Sequence, residues 1–205
     1  MGINIKLNGI QHKNLETLKN SVDPDISSFL QEWYDSHDHV IGHTSGSTGI
    51  PKEIRLLKKD MIASARLTNE FFNIRPSSNL LLCLSPKYIA GKMMIVRTIL
   101  SGANLITVKP SSSPLQNITE DIDFAALVPM QVATSLSSPD TATKLARVKQ
   151  IIIGGAAVSP TLEQQLQQIP AACYGTYGMT ETVSHIALRQ INGEGSSPYY
   201  FALGK

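Results

Sequence analysis

The stretch Gln150-Ile151-Ile152-Ile153-Gly154-Gly155 is a short apolar run that ends at two glycines. An apolar run of this length before a glycine turn is typical of a strand buried on both faces. Runs of the same character occupy residues 80–84, 104–108, 124–128 and 171–174, and helix-like segments at 58–72, 92–100, 129–136 and 161–169 alternate with them. This alternation predicts an α/β fold, a mostly parallel layered sheet with helices on both faces.

The N-terminal part of the chain has a different character. Residues 1–37 are mixed and polar, and we interpret them as a helical lead-in. Val40-Ile41 is a short apolar pair, typical of the end of a strand, and it is followed by a glycine-rich loop. Because ligands of parallel sheets bind at the carboxyl ends of strands, we expect the site where such loops follow strands.

Composition limits the class of protein. The chain has 205 residues, of which 42% are hydrophobic and 17% charged, as expected of a globular unit with a sizeable core. A net charge of +2 gives no indication of nucleic acid or an anionic membrane as a partner. No segment has the length of a transmembrane helix, and the first residues do not form a secretory signal. We therefore expect a cytoplasmic protein without membrane insertion, in which Cys83 and Cys173 pack in the core as thiols.

One loop combines four hydroxyl side chains, two glycines and a lysine: Thr44-Ser45-Gly46-Ser47-Thr48-Gly49-Ile50-Pro51-Lys52. Glycines let backbone N–H groups turn toward an anion, hydroxyls add donors, and the lysine adds a full charge. The combination favours a polyphosphate ligand over an ordinary Ser/Gly loop. No Gly-Lys-Ser/Thr step is present, which disfavours a kinase or a motor-type NTPase. The preceding His37, Asp38, His39 and His43 are more typical of a solvated approach to this loop than of a metal site.

A second motif follows the apolar run at 171–174 and reads Tyr177-Gly178-Met179-Thr180-Glu181. A glutamate standing alone would usually be a solvated surface charge. Beside a polyphosphate loop, we interpret Glu181 as a ligand of Mg²⁺, because hard oxygen ligands suit magnesium that bridges phosphates. We interpret Thr180 as a donor to an α-phosphate oxygen and Tyr177 as a cover for a base or ring.

Together the two motifs resemble the signatures of the adenylate-forming superfamily, which includes acyl-CoA synthetases, luciferases and peptide-synthetase adenylation domains. Gly154-Gly155-Ala156-Ala157 resembles the segment whose backbone lines the adenine pocket in that superfamily, and the three segments occur in its order. The resemblance implies that ATP and Mg²⁺ bind here, with catalytic roles for Lys52, Thr180 and Glu181 and with Glu181 as the metal ligand. It implies the following further nucleotide-binding residues: Thr44, Ser45, Gly46, Ser47, Thr48, Gly49, Gly154, Gly155, Ala156, Thr176, Tyr177 and Gly178.

Within the superfamily, residues 88–97 and 177–185 resemble the O-succinylbenzoate–CoA ligase family of menaquinone biosynthesis. The resemblance implies that a carboxylic acid attacks the α-phosphate of MgATP and that the thiol of CoA then attacks the acyl-adenylate. The acid of that family has a second carboxylate, which needs a cation or hydroxyl partner in a mostly apolar pocket. Candidates for that contact are Lys92, Arg97, Ser184 and His185, although each residue type also has an ordinary structural role.

The resemblance also implies parts that have no match in the chain. The region before the phosphate loop is only 43 residues long, and no residue matches the family's ribose-binding aspartate or its mobile C-terminal domain. We therefore expect residues 1–205 to be a truncated N-terminal AMP-binding (adenylation) domain. An acyl-CoA synthetase for another aryl or fatty acid and a catalytically silent nucleotide-binding module remain alternatives. A peptide-synthetase adenylation domain is a third alternative, disfavoured because Lys87 stands where an acidic anchor would be expected. Homodimerisation stays open.

Overall fold

The computed structural model describes residues 2–19, 22–44 and 52–204. The strands are β1 (Gly2–Leu7), β2 (Ile10–Asn14), β3 (His39–Thr44), β4 (Lys52–Leu57), β5 (Asn79–Leu82), β6 (Asn104–Thr107), β7 (Phe124–Leu127), β8 (Gln150–Ile153), β9 (Ala172–Gly178), β10 (His185–Gln190) and β11 (Phe201–Ala202). The α-helices are α1 (Leu15–Lys19), α2 (Pro24–Tyr34), α3 (Lys58–Phe71), α4 (Ile89–Ser101), α5 (Pro129–Leu136), α6 (Pro139–Arg147) and α7 (Pro160–Leu166). A short 3₁₀ helix occupies Thr180–Thr182.

Nine of the described strands form one sheet in the order β11-β10-β9-β8-β7-β5-β6-β1-β2. The six adjacent strands from β9 to β1 all run parallel to one another. Antiparallel strands complete the edges, β2 on one side and β10 with β11 on the other. The predicted mostly parallel sheet is therefore confirmed. β3 and β4 form a separate antiparallel pair.

Helices cover both faces of this sheet, as the sequence predicts. Successive side chains of a strand point to opposite faces, so the apolar strands supply two cores. Leu80 and Leu82 of β5 belong to a cluster that includes Met61 of α3 and Met93 of α4. The neighbouring Leu81 belongs to a second cluster, formed with residues of α5, α6 and α7. The sheet is thus the middle layer of three.

The two cysteines lie in the second of these cores. Both Cys83 and Cys173 are buried and free, as expected. Burial raises the pKa of each thiol to about 12, so both stay protonated at neutral pH. Protonated, enclosed thiols are weak nucleophiles and poor metal ligands. Neither cysteine is therefore a candidate for the chemistry of the site.

The expected helical lead-in at residues 1–37 is wrong for its first part. Residues 2–14 form the β1–β2 hairpin, and β1 pairs with β6 in parallel, with Leu7 opposite Leu105. The reason is the alternation of Ile3, Ile5 and Leu7, which has the period of a strand and buries all three side chains. Helices α1 and α2 begin only after this hairpin.

Other elements differ in length from the prediction. Helix α6, strand β4 and the edge strand β11 have no counterpart among the predicted elements. Strand β9 continues to Gly178, four residues beyond the predicted strand at 171–174, although Gly175 and Gly178 weaken the strand pattern there. This extension makes the second motif part of the sheet edge, next to β10.

Replacing Ile5 by alanine tests whether the N-terminal hairpin belongs to the core. Ile5 of β1 has its side chain buried in the core, whereas Ile10 is exposed next to the hairpin turn. We expect Ile5→Ala to lower the free energy of unfolding by about 2–4 kcal/mol and Ile10→Ala to change it by less than about 0.5 kcal/mol. Urea denaturation of the two variants measures both changes. Equal effects would contradict the placement of β1.

Candidate active site

A cavity of ≈ 610 Å³ opens at the carboxyl ends of β7, β8 and β9, where the sequence places the site. The start of α4 forms another part of its wall, and Lys52 reaches it from β4. The predicted site residues that line this cavity are Lys52, Arg97, Gly154, Gly155, Thr176, Gly178, Thr180, Glu181, Ser184 and His185. Four separate sequence segments, at residues 52, 97, 154–155 and 176–185, thus converge on one cavity.

The other predicted residues are not among the described residues that line the cavity. Ser45, Gly46, Ser47, Thr48 and Gly49 lie outside the described residues, and Thr44 is described only as the last backbone position of β3. Tyr177 and Ala156 are exposed, next to lining residues in the chain. Their proposed contacts with the nucleotide remain predictions.

Lys92 lies on a different side of α4 from the cavity. Its Nζ donates to Glu32 Oε2 at 2.9 Å and lies 4.7 Å from the centre of the Phe29 ring. The other carboxylate oxygen of Glu32 accepts from the backbone N–H of Ile41 in β3. Lys92 therefore ties α4 to α2 and β3, and the structure does not support the prediction that it meets the acid. Lys92 and Arg97 are five residues apart in α4, so their side chains leave the helix in directions about 140° apart.

Close backbone contacts fix where β9 meets its neighbours. A Cβ atom on Gly178 would lie 2.4 Å from the carbonyl oxygen of Ser184 and 2.5 Å from Cα of His185. A Cβ on Gly154 would lie 2.3 Å from Thr176 Oγ1. At Gly178 the close atoms belong to the backbone, so only glycine permits that approach, whereas at Gly154 the close atom is a side-chain oxygen. The glycine at 178 brings Ser184 and His185 against the second motif.

A strained turn joins the second motif to β10. Val183 has φ 69° and ψ −46°, and the N–H of Ser184 donates to the carbonyl oxygen of Thr182 at 2.8 Å. This is a γ-turn with positive φ, which a β-branched residue adopts at a cost on the order of 1–3 kcal/mol. Burial of the Val183 side chain offsets part of that cost. The turn allows both Glu181 and Ser184 to line the cavity, and the sequence gives no signal of it.

The exposed end of the cavity carries Lys52 and Glu181. Neither side chain makes an ion pair or hydrogen bond with another residue in the described part of the chain. The described residues also contain no group of three or more His, Cys, Asp or Glu that could hold a metal ion. A single free carboxylate suits Mg²⁺ that takes its remaining ligands from phosphates and water. The residues present therefore fit a magnesium–polyphosphate ligand.

The inner end of the cavity carries the buried cation Arg97. Its side chain is 1% exposed, and one terminal nitrogen donates to Ser184 Oγ at 2.9 Å. The other terminal nitrogen contacts the sulfur of Met94 at 3.7 Å, and Nε has no acceptor among the described residues. Burial lowers the pKa of Arg97 to about 9, so it remains charged at neutral pH.

His185 lies beside this guanidinium as a neutral imidazole. Burial, and then the charge of Arg97, lower the pKa of His185 to about 3. Its ring nitrogens lie 3.3 Å from Thr68 Oγ1 and 3.4 Å from Ser184 Oγ. The Asn69 side chain donates to the carbonyl oxygen of Arg97 at 2.9 Å and fixes α4 against α3. Sequence reasoning missed Thr68 and Asn69, which follow an ordinary amphipathic helix pattern.

Comparison with known proteins identifies relatives of this chain. The sequence profile of the family described as AMP-binding enzyme matches residues 6–200. The 2-succinylbenzoate–CoA ligase of Salmonella typhimurium is 29% identical over 150 residues, which are 73% of this chain and 32% of that protein. This chain spans about a third of the length of the curated relatives it matches first.

Solved structures show the same fold. An acyl-CoA synthetase (AMP-forming)/AMP-acid ligase II-like protein from Dyadobacter fermentans superposes with a TM-score of 0.83 and 35% identity, over 92% of this chain and 55% of that one. The O-succinylbenzoate coenzyme A synthetase of Bacillus subtilis, in complex with ATP and magnesium, gives a TM-score of 0.64 at 22% identity, over 77% of this chain and 35% of that one.

None of the described helices is long and apolar enough to cross a membrane.

Replacing His185 by glutamine tests whether this histidine is neutral and buried. The unfolded chain protonates the imidazole below its ordinary pKa near 6.5, whereas the folded pKa is about 3. Stability from this group is therefore complete above pH 6.5 and is lost as the pH falls toward 3. Between pH 7 and pH 5 we expect His185 to account for a loss of about 2 kcal/mol in the free energy of unfolding.

Urea denaturation at the two pH values measures this loss in wild type and in His185→Gln, where it should disappear. His12→Gln, on the edge strand β2, is the matched control and should keep the wild-type dependence on pH. An unchanged pH dependence in His185→Gln would show that the imidazole is accessible to protons in the folded protein.

Proposed function

The chain belongs to the AMP-binding enzyme family, and from that premise we propose that the whole protein is an ATP-dependent acid–CoA ligase that acts on O-succinylbenzoate. The single observation that carries the choice of acid is Arg97, a buried cation that lines the cavity without a carboxylate partner among the described residues. The residues outside the described ranges include no aspartate or glutamate either.

A second carboxylate on the acid would supply the missing partner of Arg97. A buried charge without a partner is costly, so an apolar tunnel for a fatty acid has no use for one. O-succinylbenzoate has one carboxylate to activate and one to leave unchanged. The unchanged group would accept charge-assisted hydrogen bonds from the guanidinium. Ser184 and His185, which line the same end of the cavity, would complete that contact.

The exposed end of the cavity would hold the nucleotide. Lys52 would contact the phosphates together with the loop of residues 44–49, and Thr180 would donate to the α-phosphate. Backbone groups at 154–156 and residues 176–178 would line the place of the base. Glu181 would hold Mg²⁺, and a bound ion would offset the negative charge of the phosphates. The acid would lie between these charges and Arg97, with its reacting carboxylate facing the α-phosphate.

Catalysis in this arrangement needs no nucleophilic side chain. The carboxylate of the acid would attack the α-phosphorus and release pyrophosphate, and the thiol of CoA would then attack the acyl-adenylate and release AMP. The residues of the cavity would act by placing the reactants and by stabilising charge on the phosphates. The 69° φ angle of Val183 contributes here, because the turn holds Glu181 and Ser184 on the same cavity.

We also propose that residues 1–205 supply the nucleotide-binding part of an N-terminal domain and that a mobile C-terminal domain completes the enzyme. The support is that the curated relatives are about three times as long as the part this chain matches. CoA would bind with the help of that further domain. The described cavity would hold the acid and the nucleotide.

Removing either free charge at the exposed end of the cavity tests the nucleotide assignment. Charge-assisted contacts to phosphate are worth roughly 1.5–3 kcal/mol each, so Lys52→Ala and Glu181→Ala should each lower adenylation by about tenfold or more. Pyrophosphate exchange in the whole protein measures adenylation. Lys109→Ala and Glu194→Ala are matched controls, because both residues are exposed away from the cavity, and they should retain wild-type rates. Wild-type exchange in all four variants would remove Lys52 and Glu181 from the mechanism.

Replacing Arg97 by methionine tests the choice of acid. The change leaves no acidic residue without its partner, so we expect the protein to fold. Loss of a charged hydrogen-bond partner should lower kcat/KM for O-succinylbenzoate by about 10- to 100-fold and leave the KM for ATP within about twofold. The exposed Arg75→Met is the matched control and should be silent.

The same assay compares O-succinylbenzoate with benzoate and a medium-chain fatty acid. Wild type should prefer the dicarboxylic acid, and Arg97→Met should lose most of that preference. Equal or better activity of wild type on a monocarboxylic acid would contradict the choice of acid and leave the adenylate-forming reaction standing. Absence of adenylation with every acid would favour a silent nucleotide-binding module.

A further inference from the structure

Polar groups from three parts of the chain form a continuous row that runs from the cavity wall into the core. The row consists of the Ser64 carbonyl oxygen and Thr68 in α3, Arg97 in α4, and Ser184 with His185, the first residue of β10. Thr68 Oγ1 lies 3.0 Å from the Ser64 oxygen and 3.3 Å from Nε2 of His185. Ser184 Oγ lies 3.4 Å from Nδ1 of His185 and 2.9 Å from a terminal nitrogen of Arg97. Thr68 is fully buried and does not line the cavity.

The ends of this row set the direction of its hydrogen bonds. A guanidinium has donors only, so Ser184 Oγ accepts from Arg97. A carbonyl oxygen has no hydrogen, so at the other end the Thr68 hydroxyl donates to Ser64. Having used its one hydrogen, Thr68 can only accept from His185, which places the imidazole hydrogen on Nε2. Nδ1 is then an acceptor, and the Ser184 hydroxyl donates to it.

The opposite direction is less favourable. If Thr68 donated to Nε2, its oxygen would face the Ser64 carbonyl at 3.0 Å with no hydrogen between them. His185 would then donate from Nδ1 to Ser184, and the Ser184 hydroxyl hydrogen would have no acceptor among the described residues. Only three of the four contacts would be hydrogen bonds. Buried polar groups strongly favour the arrangement that satisfies more of them. A second proton on His185 is excluded at neutral pH, since it would put two cations side by side in a buried place.

We propose that Thr68 is a positioning residue for recognition of the acid. By accepting from Nε2, Thr68 fixes the tautomer of His185, and His185 in turn holds the hydrogen of the Ser184 hydroxyl. Ser184 then presents an oxygen lone pair to Arg97 and orients the guanidinium toward the cavity. The remaining N–H groups of Arg97 are left to bind an anion. The link to the acid rests on the proposed function, whereas the tautomer of His185 does not.

The tautomer can be measured without any ligase activity. Whole protein labelled with ¹⁵N-histidine shows by NMR which ring nitrogen carries the hydrogen, and loss of signals in His185→Gln identifies His185. Wild type should show hydrogen on Nε2, and so should Thr68→Ser, which keeps the hydroxyl. Thr68→Val, nearly the same shape without the acceptor, should lose this preference. A hydrogen on Nδ1 in wild type would overturn the proposal without the need for any Thr68 variant to fold.

Steady-state kinetics tests the link from Thr68 to the acid. Thr68→Val should raise the KM for O-succinylbenzoate by about five- to tenfold, because losing an ordered hydrogen bond costs about 1 kcal/mol or somewhat more. The kcat and the KM for ATP should stay within about twofold, and Thr68→Ser should restore the KM for the acid. Equal losses in Thr68→Ser and Thr68→Val, or a rise in the KM for ATP as large as that for the acid, would show a merely structural role. An Nε2 hydrogen in a protein without activity on this acid would point to failure of the proposed function and not of the row.

Discussion

A guanidinium held away from water, with no anionic partner among the described residues, is the constraint on which the site depends. Arg97 is almost completely enclosed, and its hydrogen bonds go to a hydroxyl and a sulfur. Burial makes the charged form less favourable, and this cost would select against an arginine here unless an anion enters the cavity. Helix α4 packs on α3 and on the sheet, so the position of the charge is set by the core and not by a flexible loop.

The parallel sheet and its loops place two further charged side chains, Lys52 and Glu181, at the other end of the cavity from Arg97. Strands β8 and β9 end at glycines that allow the chain to approach closely, and the turn at Val183 brings the chain back beside Arg97. Lys52 and Glu181 lie at the exposed end, and neither pairs with another side chain in the described ranges. In the proposed function, the exposed end of this cavity would hold a metal-bound polyphosphate and the enclosed end a carboxylate of the acid. Adenylation of a dicarboxylic acid needs both, held at a fixed separation.

The sequence predicts the central sheet because buried strands depend on local patterns, and the resemblance to the adenylate-forming superfamily supplies most of the predicted cavity-lining residues. Buried strands such as β8 are continuous apolar runs, and the two motifs follow strands directly. The turn at Val183 and the contact of Thr68 with His185 depend on packing between distant segments, which no local pattern records. Lys92 and Arg97 look equivalent in sequence, but Glu32 in α2 pairs with one and leaves the other for the cavity. The N-terminal hairpin follows the alternation of Ile3, Ile5 and Leu7, a short strand period within the mixed, polar composition of residues 1–37.

The most direct measurement is a crystal structure of the whole protein with a stable analogue of the O-succinylbenzoyl-adenylate. We expect the adenylate beside Lys52 and residues 176–181. We expect the spare carboxylate within about 3 Å of the Arg97 guanidinium, at hydrogen-bonding distance. A spare carboxylate directed into solvent, with Arg97 still enclosed and without an anion, would show that this buried charge does not select the acid.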